Sequence, residues 1–173
     1  VISGPSGCGK TTHLKRLYTQ LAETRSERIL LLSNLGSLGN KRSTLVTISG
    51  MWSEIRTLMA STKSAKINRL TASDFSFNRK GGRCETCLGM GSIPHHVAPV
   101  PPTEVQCPEC LGKRFSARTL QATYRDHTIS QILNLTVDEA LKIFEHQPVL
   151  HRQCMALQMV GLGYLTLGQT SPT

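Results

Sequence analysis

The sequence predicts an α/β fold with an inserted α+β region, and three observations lead to this prediction. A glycine-rich loop lies between a short apolar segment and an amphipathic helix at the start of the chain. Two closely spaced cysteine pairs lie near the middle. Residues 1–118 contain 17 basic and 7 acidic side chains, whereas residues 119–173 contain 3 and 4. We therefore expect a partial P-loop nucleotide-binding core over 1–62, a basic zinc-binding insertion over 63–118, and a mostly helical segment over 119–173.

Residues 4–11 form the glycine-rich loop and match the Walker A pattern G-x-x-x-x-G-K-[ST]. The strand–loop–helix frame around them is the one that this motif requires. Glycines let backbone N–H groups approach a phosphate closely, Lys10 would contact the β- and γ-phosphates, and Thr11 would bind Mg2+. The predicted nucleotide-binding residues are Gly4, Pro5, Ser6, Gly7, Cys8, Gly9, Lys10, Thr11 and Thr12.

The cysteine pairs are Cys84 with Cys87 and Cys107 with Cys110, and 19 residues separate the two pairs. This C-x2-C…C-x2-C spacing is typical of a tetrahedral zinc site. Two disulfides are the alternative, which a reducing compartment disfavours. Four thiolates leave no open coordination position, so we expect Zn2+ to have a structural role.

Periodicity and turn residues predict the remaining elements. Phe75 and Phe77 alternate with polar residues, so we expect a short strand there. The only acidic pair that follows an apolar run, Asp138 and Glu139, has capping-box spacing with Thr136, which favours a helix start over a catalytic strand. We therefore expect no catalytic residue in this chain. The other expected elements are a strand at 29–32, a loop at 36–50, a strand near 120–124, and helices near 51–60, 128–134, 137–146 and 149–160.

Chain length and hydropathy limit the possible classes of protein. The chain has 173 residues, the size of one ordinary domain, and a formal net charge of +9. Its longest strictly apolar run, 29–32, is far shorter than the roughly 20 residues of a membrane span. The start has no basic segment followed by a long apolar run, so we expect no signal peptide and a cytoplasmic protein. Both ends resemble the interior of a longer sequence, and we expect a fragment.

Two stretches resemble the UvrA family of ABC-type ATPases, which detect damage for the bacterial excinuclease. Residues 75–84 read Phe-Ser-Phe-Asn-Arg-Lys-Gly-Gly-Arg-Cys, and residues 161–169 read Gly-Leu-Gly-Tyr-Leu-Thr-Leu-Gly-Gln. The resemblance is strongest over 75–173 and 1–18. Its order and spacing are similar to the C-terminal ATP-binding half of these proteins, from the Walker A loop to just before the ABC signature.

The resemblance implies an ATP- and DNA-binding fragment of an excision-nuclease subunit that recognises damaged DNA in nucleotide excision repair and the SOS response. It implies ATP with Mg2+ at the loop, Zn2+ at the four cysteines, a homodimer in the full-length form, and a UvrB-like partner. The family has a Gln after the strand that follows the P-loop helix, and this chain has none there; Asn34 is one methylene shorter. We therefore expect nucleotide binding, without ATP hydrolysis by this fragment alone.

Basic residues beside the cysteine pairs are the candidates for contact with double-stranded DNA. Contacts to phosphates would position the duplex without reading its sequence, as damage detection requires. The candidates are Arg79, Lys80, Arg83, Lys113 and Arg114. Two alternatives stay open: a UvrA-like paralogue for drug resistance or export, and a protein-binding zinc module like that of the DnaJ chaperones, whose repeat the first cysteine pair fits and the second fits only partly.

Overall fold

The computed structural model describes residues 9–24, 43–95 and 103–170, and it divides the chain into two compact units, 1–38 and 39–173. In the first unit, helix α1 (Lys10–Thr24) begins directly after Gly9. Gly9 has a φ of 85°, which glycine adopts without steric cost. The predicted strand at 29–32 lies outside the described residues, as do Gly4, Pro5, Ser6, Gly7 and Cys8.

The second unit opens with helices α2 (Leu45–Ile48), α3 (Trp52–Ser61) and α4 (Lys63–Ile67). Helix α3 confirms the helix predicted near 51–60, and its face carrying Ile55 and Met59 is fully buried. Helix α2 shows that the loop predicted over 36–50 is wrong at 45–48. The Val46 N–H donates to the Leu167 carbonyl at 3.1 Å, so a contact far along the sequence stabilises this single turn.

Helices α5 (Ile129–Asn134), α6 (Val137–Ile143) and α7 (Pro148–Met159) confirm the three helices predicted towards the end of the chain. The capping box of α6 is also confirmed. The Thr136 N–H donates to Glu139 Oε2 at 2.8 Å, and the Glu139 N–H donates to Thr136 Oγ1 at 3.2 Å. Asp138 and Glu139 therefore lie in the first turn of a helix, where acidic side chains interact favourably with the helix dipole.

An aromatic row connects α3 to the segments on either side of the cysteine region. The rings of Trp52 and Phe77 stack with centroids 4.8 Å apart, and Phe77 meets Phe115 edge-on at 6.4 Å. The strand predicted at Phe75 and Phe77 is wrong, because residues 72–78 form successive turns and Ser76 is buried together with both phenylalanines instead of alternating with them. The aromatic row joins residues from both sides of position 62. The predicted boundaries between segments, at 62 and at 118, stay predictions.

Short antiparallel pairs complete the described structure. Strand β1 (Ser92–His95) pairs with β2 (Thr103–Gln106), so that Ser92 lies opposite Gln106. Strand β3 (Thr123–Tyr124) pairs with β4 (His127–Thr128). The strand predicted near 120–124 is confirmed only at its end, because a 3₁₀ turn occupies Thr119–Gln121. Within the described ranges, no helix has the length and apolar character needed to cross a membrane.

Candidate metal centre

The structure brings the four predicted ligand sulfurs together. All four Sγ atoms lie within 4.8 Å of one another, and all four cysteines are buried. The Sγ atoms of Cys84 and Cys107 are 3.9 Å apart, and those of Cys87 and Cys110 are 3.6 Å apart. A tetrahedral zinc ion with bonds of about 2.3 Å would separate its sulfurs by roughly 3.8 Å. The donor set and its dimensions therefore fit zinc, and the cysteines of the described residues are not disulfide-bonded.

A tight turn follows the first cysteine pair. Leu88, Gly89 and Gly91 have φ angles of 52°, 82° and 82°, so the chain reverses over a few residues. Gly89 has no room for a side chain, because a Cβ there would meet the Phe77 carbonyl. At the end of the turn, the Gly91 N–H donates to Cys87 Sγ at 3.2 Å. The sequence thus folds back so that backbone donors point at the sulfur.

The turn after the second pair repeats this conformation 23 residues later. Leu111, Gly112 and Arg114 have φ angles of 48°, 78° and 69°. The matching local signal in the sequence is Cys-x-x-Cys-Leu-Gly, present at both pairs. Position 114 corresponds to position 91, although one residue is an arginine and the other a glycine. The repeat of backbone geometry makes the two halves of the centre nearly equivalent.

The two turns are also hydrogen-bonded to each other in a reciprocal way. The Cys84 N–H donates to the Arg114 carbonyl at 2.9 Å, and the Cys107 N–H donates to the Gly91 carbonyl at 2.9 Å. Residues just outside these bonds pair as well: Arg83 lies opposite Phe115, and Ser92 lies opposite Gln106. The first cysteine of each turn is therefore hydrogen-bonded to the last residue of the other turn.

The surroundings of the sulfurs change their acidity in different directions. The backbone N–H of Cys110 lowers the pKa of Cys107 to about 7. Burial raises the pKa of Cys87, and it raises the pKa of Cys110 to about 12. Ligation needs thiolates, so a metal ion would displace protons from the thiols that burial keeps neutral.

The predicted DNA-contact residues occupy different environments. Arg83 is half-buried: its guanidinium forms an ion pair with Glu85 at 3.2 Å and donates to the Asn78 carbonyl at 3.2 Å. The Arg83 hydrogen bond is the main reason why the pKa of Glu85 is lowered. Arg114 is half-buried, and burial lowers the pKa of its guanidinium, whereas the nearby Cys87 and Cys110 thiolates raise it.

The other three candidates carry exposed side chains. Arg79 donates to Ser73 Oγ at 3.2 Å, and Lys80 and Lys113 are exposed to solvent. Lys113 and Arg83 line the same cleft, of about 440 Å3, between the two cysteine turns. The charge-based prediction missed Arg118, which donates to the carbonyls of Asn68 and Arg69 and so braces the loop before the cysteine region.

Of the predicted nucleotide-binding residues, the structure describes the end of the loop and the start of α1. The Gly9 carbonyl accepts a hydrogen bond from the His13 N–H at 2.9 Å, and Thr12 is exposed on the first turn of α1. The backbone of Lys10 and Thr11 is helical. Backbone N–H groups at a helix N-terminus can bind a phosphate, and nucleotide binding by this loop stays a prediction.

Comparisons with known proteins identify relatives over almost the whole chain. No protein-family profile matches. The chain is 37% identical to UvrABC system protein A of Aquifex aeolicus over 99% of its length, and 42% identical to that of Streptococcus pneumoniae over 99%. A crystal structure of UvrA2 from Deinococcus radiodurans superposes with a TM-score of 0.78 at 36% identity, over 98% of the chain.

The chain covers 21% of the Aquifex aeolicus protein, 20% of the Streptococcus pneumoniae protein and 22% of the UvrA2 chain. The similar sequences are named UvrABC system protein A, and the similar solved structure is named UvrA2, so sequence and fold both point to UvrA proteins. The predicted resemblance to UvrA proteins is therefore confirmed, and the chain spans about one fifth of the length of the relatives it matches.

Proposed function

We propose that this chain is an ATP- and DNA-binding segment of a UvrA-like ABC ATPase that recognises damaged DNA in nucleotide excision repair. The observation that carries the proposal is the buried four-sulfur cluster within a basic segment of a UvrA-like fold. In the whole protein we expect a homodimer, a UvrB-like partner and a cytoplasmic location. This chain corresponds, by its motif order, to the C-terminal ATP-binding half.

The four cysteines would hold Zn2+ as a structural ion. Bound there, the ion supplies a cross-link between two turns that have few apolar contacts of their own, since Ile93 is the partly buried hydrophobic residue packed against the cluster. The ion has no open coordination position and takes no part in bond making or breaking. Its effect is to fix the positions of the basic residues before and after the two turns.

Exposed cations on either side of the centre would contact the DNA backbone. Arg79 and Lys80 precede the first cysteine pair, and Lys113 follows the second. Arg83 forms an ion pair with Glu85 at 3.2 Å and lines the cleft that Lys113 also lines. Contacts from such side chains to phosphates depend on salt and carry no sequence information. This suits a protein that must bind duplex of any sequence.

The loop from Gly4 to Thr12 would bind the phosphates of ATP, with Lys10 at the β- and γ-phosphates and Thr11 at Mg2+. Hydrolysis needs residues that orient the attacking water, and it needs a second ATP-binding half that completes the site. We expect the rest of the protein to supply both. ATP binding by this chain alone is expected to be weak and to produce no turnover.

Filter binding to duplex DNA tests the DNA-binding part of the proposal. We expect the zinc-loaded chain to bind duplexes of unrelated sequence equally well, with affinity falling steeply as salt increases. Lys80→Glu should weaken binding to all sequences and reduce the salt dependence by roughly one phosphate contact. Lys142→Glu, on the solvent-exposed face of helix α6, is the matched control and should leave DNA affinity unchanged.

Two results would contradict the proposal. One is equal DNA affinity for the Lys80→Glu and Lys142→Glu variants. The other is binding of an unfolded polypeptide without binding of DNA, which would favour the DnaJ-like alternative. A parallel titration with a fluorescent ATP analogue separates the two sites, because Lys10→Ala should lose nucleotide affinity and keep DNA affinity.

A further inference from the structure

The two cysteine turns carry different residue types at one position where both backbones are left-handed. Gly91 ends the first turn with a φ of 82°, and Arg114 ends the second with a φ of 69°. Glycine adopts this left-handed region freely, whereas a residue with a Cβ is strained there. The backbone alone would therefore favour glycine at 114. An arginine in this position suggests that its side chain has a role that offsets the strain.

The side chain of Arg114 lies against the turn that holds Cys87. A Cβ placed on Gly91 would be 3.1 Å from Arg114 Cγ and 3.5 Å from its Nε. The N–H of the same Gly91 donates to Cys87 Sγ at 3.2 Å. The Arg114 carbonyl accepts a hydrogen bond from the Cys84 N–H at 2.9 Å. Arg114 follows the second cysteine pair and thus contacts the turn of the first pair through both its side chain and its backbone.

The neighbouring lysine provides a contrast. Lys113 is exposed, whereas Arg114 is half-buried, although both are cationic and adjacent in the chain. Four thiolates around one divalent zinc ion carry a net charge of −2, in a site from which much of the water is excluded. A guanidinium is charged at all relevant pH values and is well suited to a buried ion pair.

We propose that Arg114 is a positioning residue whose positive charge stabilises the anionic metal centre, rather than a DNA contact. This inference rests on the proposed zinc binding. It assigns the basic residues after the second cysteine pair to separate tasks, with Lys113 directed to solvent and Arg114 to the sulfurs. Outer-shell partners of metal ligands commonly change metal affinity by 10- to 100-fold when they are mutated.

The test measures Zn2+ affinity by competition with a chromophoric chelator, in the 173-residue chain. Arg114→Met keeps a long apolar stem and removes the charge, Arg114→Gly also removes the backbone strain, and Arg114→Lys keeps a positive charge. We expect Arg114→Met and Arg114→Gly to weaken Zn2+ affinity about tenfold or more, and Arg114→Lys to remain within about threefold of the wild type. The control Lys113→Met should leave Zn2+ affinity unchanged.

A second readout separates charge from geometry. Each variant loaded with Co2+ should show the same absorption spectrum of a tetrahedral four-thiolate site, because the cysteines and their turns are retained. If Arg114→Gly binds Zn2+ as tightly as the wild type, or if Arg114→Lys is as weak as Arg114→Met, the charge role is wrong. If the wild-type chain binds neither metal, the proposed zinc site itself fails, which is a different outcome. Should Arg114→Met not fold, the Arg114→Gly and Arg114→Lys pair still decides.

Discussion

The four-cysteine region and the C-terminal helices achieve their order by different means. In the first, the buried cluster consists of Cys84, Cys87, Cys107 and Cys110 with Ile93 packed against it. In the second, helices α5 to α7 contribute fully buried apolar side chains to the main core, including Ile132, Val137 and Phe144. The helices have enough apolar burial to pack without an ion. The cysteine region does not, and it should depend on its ligand.

Loss of a sulfur ligand should have the largest effect and should be confined to the cysteine region. Cys107→Ser removes one of the four ligands, and zinc modules of this kind derive about 10–16 kcal/mol of apparent binding free energy from the metal. We expect loss of bound zinc and rapid proteolysis within 84–114, with the helical far-ultraviolet signal retained. Cys154→Ala is the control, because Cys154 is a buried core residue outside the cluster and zinc content should not change.

Truncation of a core aromatic side chain should destabilise the main core and leave zinc binding intact. Phe144 is fully buried and stacks on Tyr124 with ring centroids 6.4 Å apart. Phe144→Ala should lower the free energy of unfolding by about 3–5 kcal/mol in urea denaturation, while the folded chain keeps its zinc. Tyr164→Ala, at a side chain that is 72% exposed, should change this free energy by less than about 0.5 kcal/mol. Loss of zinc at native conditions in Phe144→Ala would remove the distinction between the two regions.

A pair of glycine substitutions compares backbone constraints in the two regions. Gly161 follows α7 with a φ of 80° and open space around it, so Gly161→Ala should cost about 1–2 kcal/mol from backbone strain alone. Gly89 has a φ of 82°, and a Cβ there would also collide with the Phe77 carbonyl. Gly89→Ala should therefore cost more in urea denaturation and weaken zinc binding. Equal effects of the two changes would mean that the close approach to Phe77 is unimportant.

The smallest expected effect concerns the cap of α6. Thr136→Ala removes one half of the capping box and should lower the free energy of unfolding by about 1 kcal/mol at pH 7. The Thr136 N–H and hydroxyl lower the pKa of Glu139. A lowered folded-state pKa gives stability above the unfolded value of about 4.5, and this is lost as pH falls through the folded value. The difference between wild type and variant should thus shrink at pH 3.

Local patterns were sufficient to predict the elements that local interactions form. The spacing within each cysteine pair, the apolar face of α3 and the capping box of α6 involve residues that are close together in the sequence. Helix α2 escaped prediction because it is only four residues long and is fixed by a hydrogen bond from Val46 to Leu167. The β1–β2 pair also escaped, because β2 is exposed on both faces and shows no alternation of apolar and polar residues.

Charge patterns predicted that the cysteine region would be basic, but they could not show which basic side chains are exposed and which are buried. Arg83 and Arg114 differ from Arg79 and Lys80 in burial, and burial depends on how the two cysteine turns fold onto each other. The signal for Arg114 was the repeated Cys-x-x-Cys-Leu-Gly, which places an arginine where the first copy has a glycine. The sequence repeat alone does not show that the Arg114 side chain faces the sulfurs. That conclusion also requires the φ angles and the burial of Arg114.

The reciprocal bonds between the two turns have a consequence for synthesis of the protein. The Cys84 N–H is bonded to a carbonyl thirty residues later, at Arg114. When the first cysteine pair leaves the ribosome, half of the coordination sphere and its closing bond are still missing. The ion can be fully enclosed only after residue 114 has emerged, so metal capture should occur as one late step for both halves together.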